Sequence, residues 1–270
     1  MIDQYISDLI KKLNLSATSE EQLLIYVSNK IQRDSWGSYY ETINKLFNKG
    51  TQADMQRNSV AIQLVFWAFD LVDDVVDGDH LLEWISREQQ ILLSHITMLQ
   101  AIRLFNQKIQ DDVMALIVDA GYAEFYDITY DFNENPDISE DEYIALVTQK
   151  SGNLMRLIGL IIDKDNVPLQ YFMQNVGIAA QIKNDIDSIL SEHKSDFYQR
   201  KMYLPLIKYI FFSGDKNLQY FSRENILQSG SLDYCRLLYN YYIEKAYSIL
   251  LDAFPDKTEG IRKLKDEFNF

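Results

Sequence analysis

Apolar positions along this chain recur with the period of an α-helix almost everywhere. Leu154, Leu157, Ile158 and Ile161 fall on one helical face, as do Leu237, Leu238, Tyr241 and Tyr242, and alternating runs of the kind that build strands are nearly absent. The pattern predicts an all-α protein with long helices over about 53–78, 88–108, 110–133, 140–163, 167–192 and 231–253. Ser19 with Gln22, and Ser139 with Glu142, have the spacing of capping boxes, and the prolines at 136, 168, 205 and 255 fall between periodic segments. No Ser/Gly/Pro-rich stretch, like-charge run or internal repeat marks a linker. Residues 1–270 are therefore expected to form one domain, a helical bundle, and such bundles build their sites from polar side chains that point inward from facing helices.

Composition narrows the function. The chain is 47% hydrophobic, enough for a large core, and its 40 acidic against 26 basic residues give a net charge of −14. Such a charge repels a phosphate backbone, so nucleic acid is not an expected partner. The first residues, MIDQYISDLI, have no basic segment followed by an apolar one, and the longest apolar runs, near 64–69 and 157–162, fall short of the roughly 20 residues of a membrane span. The expectation is a soluble, cytoplasmic protein. The single cysteine, Cys235, lies in a Tyr/Leu-rich helical pattern and reads as a core thiol.

Two acidic clusters interrupt the apolar helices. From Ser59 to Phe69 the chain is apolar almost all round, and Asp70, Asp73, Asp74 and Asp77 then follow at i, i+3, i+4 and i+7 on one stripe with no basic residue between them. Each neighbouring pair repels by about 0.2–0.5 kcal/mol when solvated and by more when buried, and carboxylates also disfavour a helix C-terminus. Something cationic should compensate. Asp73 and Asp77, one turn apart, can reach a common centre, and an oxygen-only set suits a hard ion such as Mg²⁺ that keeps water and phosphate oxygens as its other ligands. The plainer reading is a solvated helix end.

The second cluster holds Asn184, Ser188 and Glu192 at i, i+4 and i+8 on one face, with Gln181 a turn before them. Here the plainer reading makes Asn184, Asp185 and Asp187 solvated helix polars. Lys150, Lys183, Lys194, Arg200 and Lys201 are candidates to hold phosphate oxygens as charged donors. Together these parts suit departure of a diphosphate from an allylic carbon, with metals and lysines stabilising the leaving charge and the protein shielding a cation from water. Phe66, Trp67 and Phe69 precede the first cluster, and Tyr122, Phe125 and Tyr126 form a second aromatic band. Such faces stabilise a cation by roughly 0.5–2 kcal/mol each, although plain core packing also accounts for aromatics at this spacing.

These landmarks resemble the trans-isoprenyl diphosphate synthase superfamily, the class I isoprenoid or terpenoid synthases, over roughly residues 50–210. Asp73-Asp74-Val75-Val76-Asp77 is similar to the family's first DDxxD motif. Asp127-Ile128 stands where the family has GQxxDL, and Lys150-Ser151 looks like the Lys-Thr/Ser of its central helix. Gly177 and Gln181 precede the second motif, and Asp196-x4-Lys201-x-Tyr203-Leu204-Pro205 is similar to Dx4KxTLP. The resemblance implies the isoprenoid synthase helical bundle and about three Mg²⁺ ions, held by Asp73, Asp74, Asp77, Asn184, Ser188 and Glu192. It further implies diphosphate binding by Lys150, Gln181, Lys194 and Lys201, a prenyl pocket drawn from Phe66, Phe69, Phe125 and Asp127, and a homodimer, for which the Tyr-rich segments 209–221 and 234–242 could supply the interface. Bulk at Phe69, just before the first motif, implies a C10–C15 donor.

The departures carry equal weight. Chain-elongating members have a GGKRxRP-like segment and an Arg-Arg pair after DDxxD, which bind isopentenyl diphosphate. Here residues 80–88 read HLLEWISRE with an isolated Arg87, and the region of Lys49-Gly50-Thr51 has no basic cluster. Two diphosphates need two sets of cations, so only the allylic donor is expected to be held by its diphosphate. That pattern looks most like the ComQ-type isoprenyl transferases, which prenylate a tryptophan of a quorum-sensing precursor peptide. The similarity includes Asp70, Asp79, Lys150-x-Gly152 and Gln181, and Asp127 or Glu124 is a candidate proton acceptor. A rival reading is a class I terpene cyclase, because Asn184 to Glu192 satisfies NDxxSxxxE, although no Arg-Tyr pair follows. Ordinary chain elongation ranks below both because the second set of basic residues is missing, and a non-catalytic partner subunit ranks below them because the metal motifs are intact.

Overall fold

The computed structural model describes residues 2–33, 35–78, 82–129, 138–191, 203–214 and 222–268, and these contain helices and no strand. Their contacts cluster into two compact units, residues 1–114 and 115–270. The division falls inside a continuous helix, at a point where the sequence carries no linker signal.

The first unit contains α1 (Ile2–Lys11), α2 (Ala17–Arg33), α3 (Trp36–Phe47), α4 (Gln52–Asp77), α5 (Arg87–Leu104) and the start of α6 (Gln107–Thr129). Its core is α4, buried from Val60 through Ala68, which packs most extensively on α5 and then on α3. Thr51 and Asp54 form a reciprocal capping box that starts α4, and Gly78, at φ 69°, ends it in the left-handed conformation. The predicted Ser19 cap is displaced by one turn. Ser16 Oγ accepts from the Ser19 N–H at 3.1 Å and the helix begins at Ala17, because Ser16 sits outside the helical pattern and Ser19 within it.

The second unit contains the rest of α6, then α7 (Glu140–Val147), a π-helical turn (Thr148–Gly152), α8 (Asn153–Ile162) and α9 (Val167–Leu190). After these come α10 (Leu204–Ser213), α11 (Arg223–Gln228), α12 (Ser231–Ala253), a 3₁₀ turn (Pro255–Lys257) and α13 (Thr258–Phe268). The predicted Ser139–Glu142 capping box is present. The helix expected over 140–163 is present as a helical run from 140 to 162 without a gap, within which the π turn's wider winding shifts the phase of every later side chain. Among the unit's pairings, α9 against α12 is the most extensive and includes an edge-on contact between Phe172 and Tyr247 at 5.3 Å. The backbones of the π turn and α9 approach so closely that a Cβ on Gly177 would collide with the Ser151 carbonyl oxygen and lie 3.0 Å from Gly152 Cα. Cys235 is buried and free, as a core thiol should be. No described helix is long and apolar enough to cross a membrane.

Candidate functional site

In the first unit the acidic stripe does end a buried helix. Asp74 is buried and accepts a hydrogen bond from Tyr26 Oη at 3.2 Å, while Asp73 and Asp77 are half-buried. The compensating cation that the stripe requires is Lys30, whose ammonium stands 3.1 Å from Asp70 Oδ2. Desolvation pushes the Asp70 carboxyl up to about 6, the Lys30 charge opposes that rise, and the neighbouring Asp74 and Asp73 add to it. Tyr26 and Lys30 are both on α2, one turn apart on the face that also buries Leu23 and Val27. Their phase with those apolar residues was a legible signal that the sequence reading passed over. From α5, Ser94 Oγ donates to the Ala68 carbonyl at 2.7 Å and Gln90 Nε2 to the Leu71 carbonyl at 3.2 Å, so polar donors brace the end of α4 where the acids gather. Gln90 Oε1 also accepts from the Leu82 N–H at 3.1 Å, which fixes the chain just past the motif.

Of the aromatics, Phe66 is buried and stacks on Trp36, centroids 4.5 Å apart and planes 17° apart, and Phe69 is half-buried. The α6 band is different: Tyr122, Phe125 and Tyr126 are exposed, Phe125 at 65%, so core packing does not account for them. A cleft of about 330 Å³ is lined by Asp119, Tyr122, Tyr126 and Gln149.

In the second unit Lys150 lies in the π turn, and its ammonium stands 2.9 Å from Glu124 Oε2 and 2.7 Å from Asp127 Oδ2. Two carboxylates and one ammonium leave this partly buried triad one negative charge in excess when all three are ionised. The neighbouring residue begins a second network. Ser151 Oγ donates to Gln181 Oε1 at 2.7 Å, and Gln181 Nε2 donates to Asp185 Oδ1 at 3.0 Å. The other Asp185 oxygen accepts from Tyr143 Oη at 2.6 Å and from the Leu204 backbone N–H at 2.9 Å. Burial pushes the Asp185 carboxyl up to about 6 against the hydrogen bonds from Tyr143, Leu204 and Gln181, and raises the Tyr143 phenol as well.

Asp185 is therefore not the solvated helix polar that the plainer sequence reading allowed, being only 5% exposed. Its phase was again readable: it follows Ile178 and Ile182 and precedes Ile189 on the apolar stripe of α9. Asn184, next to it, is exposed, and Ser188 is buried with its hydroxyl donating to the Asn184 carbonyl at 2.9 Å. Lys183 pairs with Asp187 on the surface at 2.8 Å. Glu192, Lys194, Arg200 and Lys201 lie outside the described residues, as does Asp79.

The donor chemistry fits a hard divalent ion. Asp73 and Asp77, and separately Asn184 and Ser188, offer oxygens from one helix face each. Among the described residues no three His, Cys, Asp or Glu side chains converge as a cage. An ion held through one or two carboxylates and completed by water and phosphate oxygens needs none. A larger groove, about 780 Å³ between α7, α9 and α12, has Val167, Tyr171, Ile178 and Tyr242 in its walls and no candidate site residue.

Comparison with solved structures decides the architecture. A polyprenyl synthase from Caulobacter crescentus CB15, complexed with calcium and isoprenyl diphosphate, aligns with a TM-score of 0.76 over 98% of this chain and 93% of its own, at 19% identity. The chain has the polyprenyl synthase fold. Two geranylgeranyl pyrophosphate synthases with that fold, from Lactobacillus brevis and Pyrococcus horikoshii, align at TM-scores of 0.74 and 0.73. They are 15% and 20% identical and cover 97% of this chain, and 95% and 94% of their own lengths. Among curated proteins, the tryptophan prenyltransferase ComQ of Bacillus spizizenii is 21% identical over 220 residues, covering 73% of this chain and 75% of that one. No family profile matches. The resemblance read from the motifs is thus borne out, in the fold by the synthases and in the sequence by a ComQ relative.

Proposed function

We propose that this protein is a Mg²⁺-dependent isoprenyl transferase that ionises geranyl or farnesyl diphosphate and passes the prenyl group to a tryptophan of a quorum-sensing precursor peptide. The observation that carries the reading is the Asp73-Asp74-x-x-Asp77 stripe at the end of a buried helix in a chain with the polyprenyl synthase fold. The similarity to a tryptophan prenyltransferase supports the acceptor, as does the absence from the sequence of a second set of basic residues for isopentenyl diphosphate.

In this reading Asp73, Asp74 and Asp77, with Asn184, Ser188 and Glu192, supply the metal oxygens. Mg²⁺, about three ions, would supply positive charge to the departing diphosphate there. Lys150, Gln181, Lys194 and Lys201 serve the same phosphate oxygens as donors, Phe66, Phe69 and Phe125 line the prenyl chain, and Asp127 or Glu124 takes the proton released when the indole is substituted. The protein acts in the cytoplasm as a homodimer.

A second reading, a class I terpene synthase, is favoured by one observation: Asn184 and Ser188 follow the cyclase metal pattern, and Asp185 between them is occupied elsewhere. The deciding experiment incubates purified protein with Mg²⁺ and geranyl or farnesyl diphosphate, without and then with a tryptophan-containing precursor peptide, and analyses products by mass spectrometry. A peptide heavier by one prenyl group is expected. A hydrocarbon or terpene alcohol formed without peptide would overturn peptide transfer in favour of the synthase, a longer diphosphate formed with isopentenyl diphosphate would mean chain elongation, and binding without turnover would mean a non-catalytic subunit.

A further inference from the structure

One polar group of the second unit, Asp185, accepts three hydrogen bonds and has no role in the proposed chemistry. Asp185 sits inside the second motif, next to Asn184, yet its two oxygens are engaged with protein groups from separate elements. Oδ2 accepts from Tyr143 of α7 and from the N–H of Leu204, and Oδ1 accepts from Gln181, which in turn accepts from Ser151 of the π turn. Asp185, Tyr143, Tyr203 and Leu204 are all buried.

The Leu204 contact is unusual in kind. Leu204 is the first residue of α10, Pro205 follows it, and the N–H groups of a helix's first turn have no partner within the helix. The Tyr203 side chain makes no capping hydrogen bond there. A carboxylate reaching from another helix fills that role, with charge that complements the helix N-terminus. The start of α10 is thereby tied to the residue beside Asn184. At the same time the Gln181 to Ser151 link ties α9 to the turn that carries Lys150, where Gly177 and Gly152 permit backbone contact.

We infer that Asp185, with Tyr143 behind it, is a positioning residue rather than a metal ligand: one buried carboxylate holds in register the π turn that carries Lys150, the stretch of α9 that carries Asn184, and the start of α10. This rests on the function proposed above. It predicts that the second aspartate of the motif acts on diphosphate affinity through backbone placement and leaves the metal requirement alone.

The test compares Asp185→Ala, Asp185→Asn, Tyr143→Phe and Asn184→Ala in the full chain by three readouts. Backbone hydrogen exchange of a peptide spanning 203–206 reports the Leu204 amide without any substrate. Steady-state kinetics give KM and kcat for the allylic diphosphate, and a Mg²⁺ titration gives the half-saturating concentration. Asp185→Ala should speed exchange at Leu204 at least tenfold and raise KM at least tenfold, with Mg²⁺ half-saturation within about twofold of the parent. Asp185→Asn, whose carbonyl can still accept from Leu204, should recover most of both effects. Asn184→Ala should instead shift the Mg²⁺ requirement. Should Asp185→Ala not fold, Tyr143→Phe keeps the packing and should raise KM about threefold, again with Mg²⁺ half-saturation unchanged.

A shift in Mg²⁺ half-saturation for Asp185→Ala as large as that for Asn184→Ala would make Asp185 a ligand and overturn the inference. So would unchanged exchange at Leu204, or faster exchange with an unchanged KM. The exchange readout needs no turnover, so a parent protein inactive on every allylic diphosphate would sink the proposed function while the Leu204 tie was still measured.

Discussion

Two carboxyls, the half-buried Asp70 and the buried Asp185, have their pKa raised to about 6 chiefly by desolvation. A folded-state value above the ordinary carboxylate value near 3.8 means that the folded chain binds protons more tightly than the unfolded one. The contribution to stability is then fully present below about pH 4 and is lost as pH rises through about 6. Asp185→Asn mimics the protonated group. The stability difference between this variant and the parent, measured by urea unfolding, should therefore change between pH 4 and pH 7, with the parent losing ground as pH rises, and a difference independent of pH would contradict the assignment. At Cys235 burial pushes the thiol well above its usual range, the neighbouring Asp185 adding to the rise. A thiol reagent at pH 8 should label the native protein much more slowly than the urea-unfolded chain, and rapid native labelling would mean that α12 opens locally. The partners of these residues were not legible. Lys30 lies 40 positions from Asp70 and Tyr143 lies 42 from Asp185, and helical periodicity says which face a residue takes, not which helix it meets. What could be read was burial, since Asp185 and Lys30 both fall in phase with apolar neighbours.

At the scale of elements the sequence was most informative where periodicity was long and bounded by caps. The expected helices over 53–78, 167–192 and 231–253 correspond to α4, α9 and α12 within about two residues, and in the structure Thr51 and Asn166 cap the first two with their side chains. The π turn was illegible: Thr148 to Gly152 is a short polar interval between apolar helical flanks, which an ordinary helix spans as well, and what distinguishes it is the close approach of α9. Two glycines separate packing from propensity. A methyl on Gly177 would strike the Ser151 carbonyl, so Gly177→Ala should cost about 1–3 kcal/mol as an overpacking change. Gly121, within α6, has nothing within 4 Å of an added Cβ, and Gly121→Ala should stabilise by about 0.5–1 kcal/mol through helix propensity. Denaturant midpoints should move in opposite directions, and a neutral Gly177→Ala would mean that α9 can move away from the π turn without loss.

For the whole molecule, the helical class followed from periodicity and the expected fold from the order of the motifs, and the fold comparison agrees with both. The division into units at Met114 and Ala115 had no mark in the sequence, since contact density within a helix does not alter composition. The acidic stripe also bears on stability as a whole. Removing Asp73 or Asp77, the two half-buried members, should leave the fold intact, because taking away one of several neighbouring like charges relieves repulsion of about 0.2–0.5 kcal/mol or more per pair. Function and stability are thus separable at Asp73 and Asp77. The most direct test of the central claim is release of inorganic diphosphate from geranyl or farnesyl diphosphate in the presence of Mg²⁺ and precursor peptide, comparing the parent with Asp77→Ala at matched thermal stability. The account predicts Mg²⁺-dependent release by the parent and at least a hundredfold loss in the variant. Equal release by the two proteins, or release that needs no divalent ion, would contradict it.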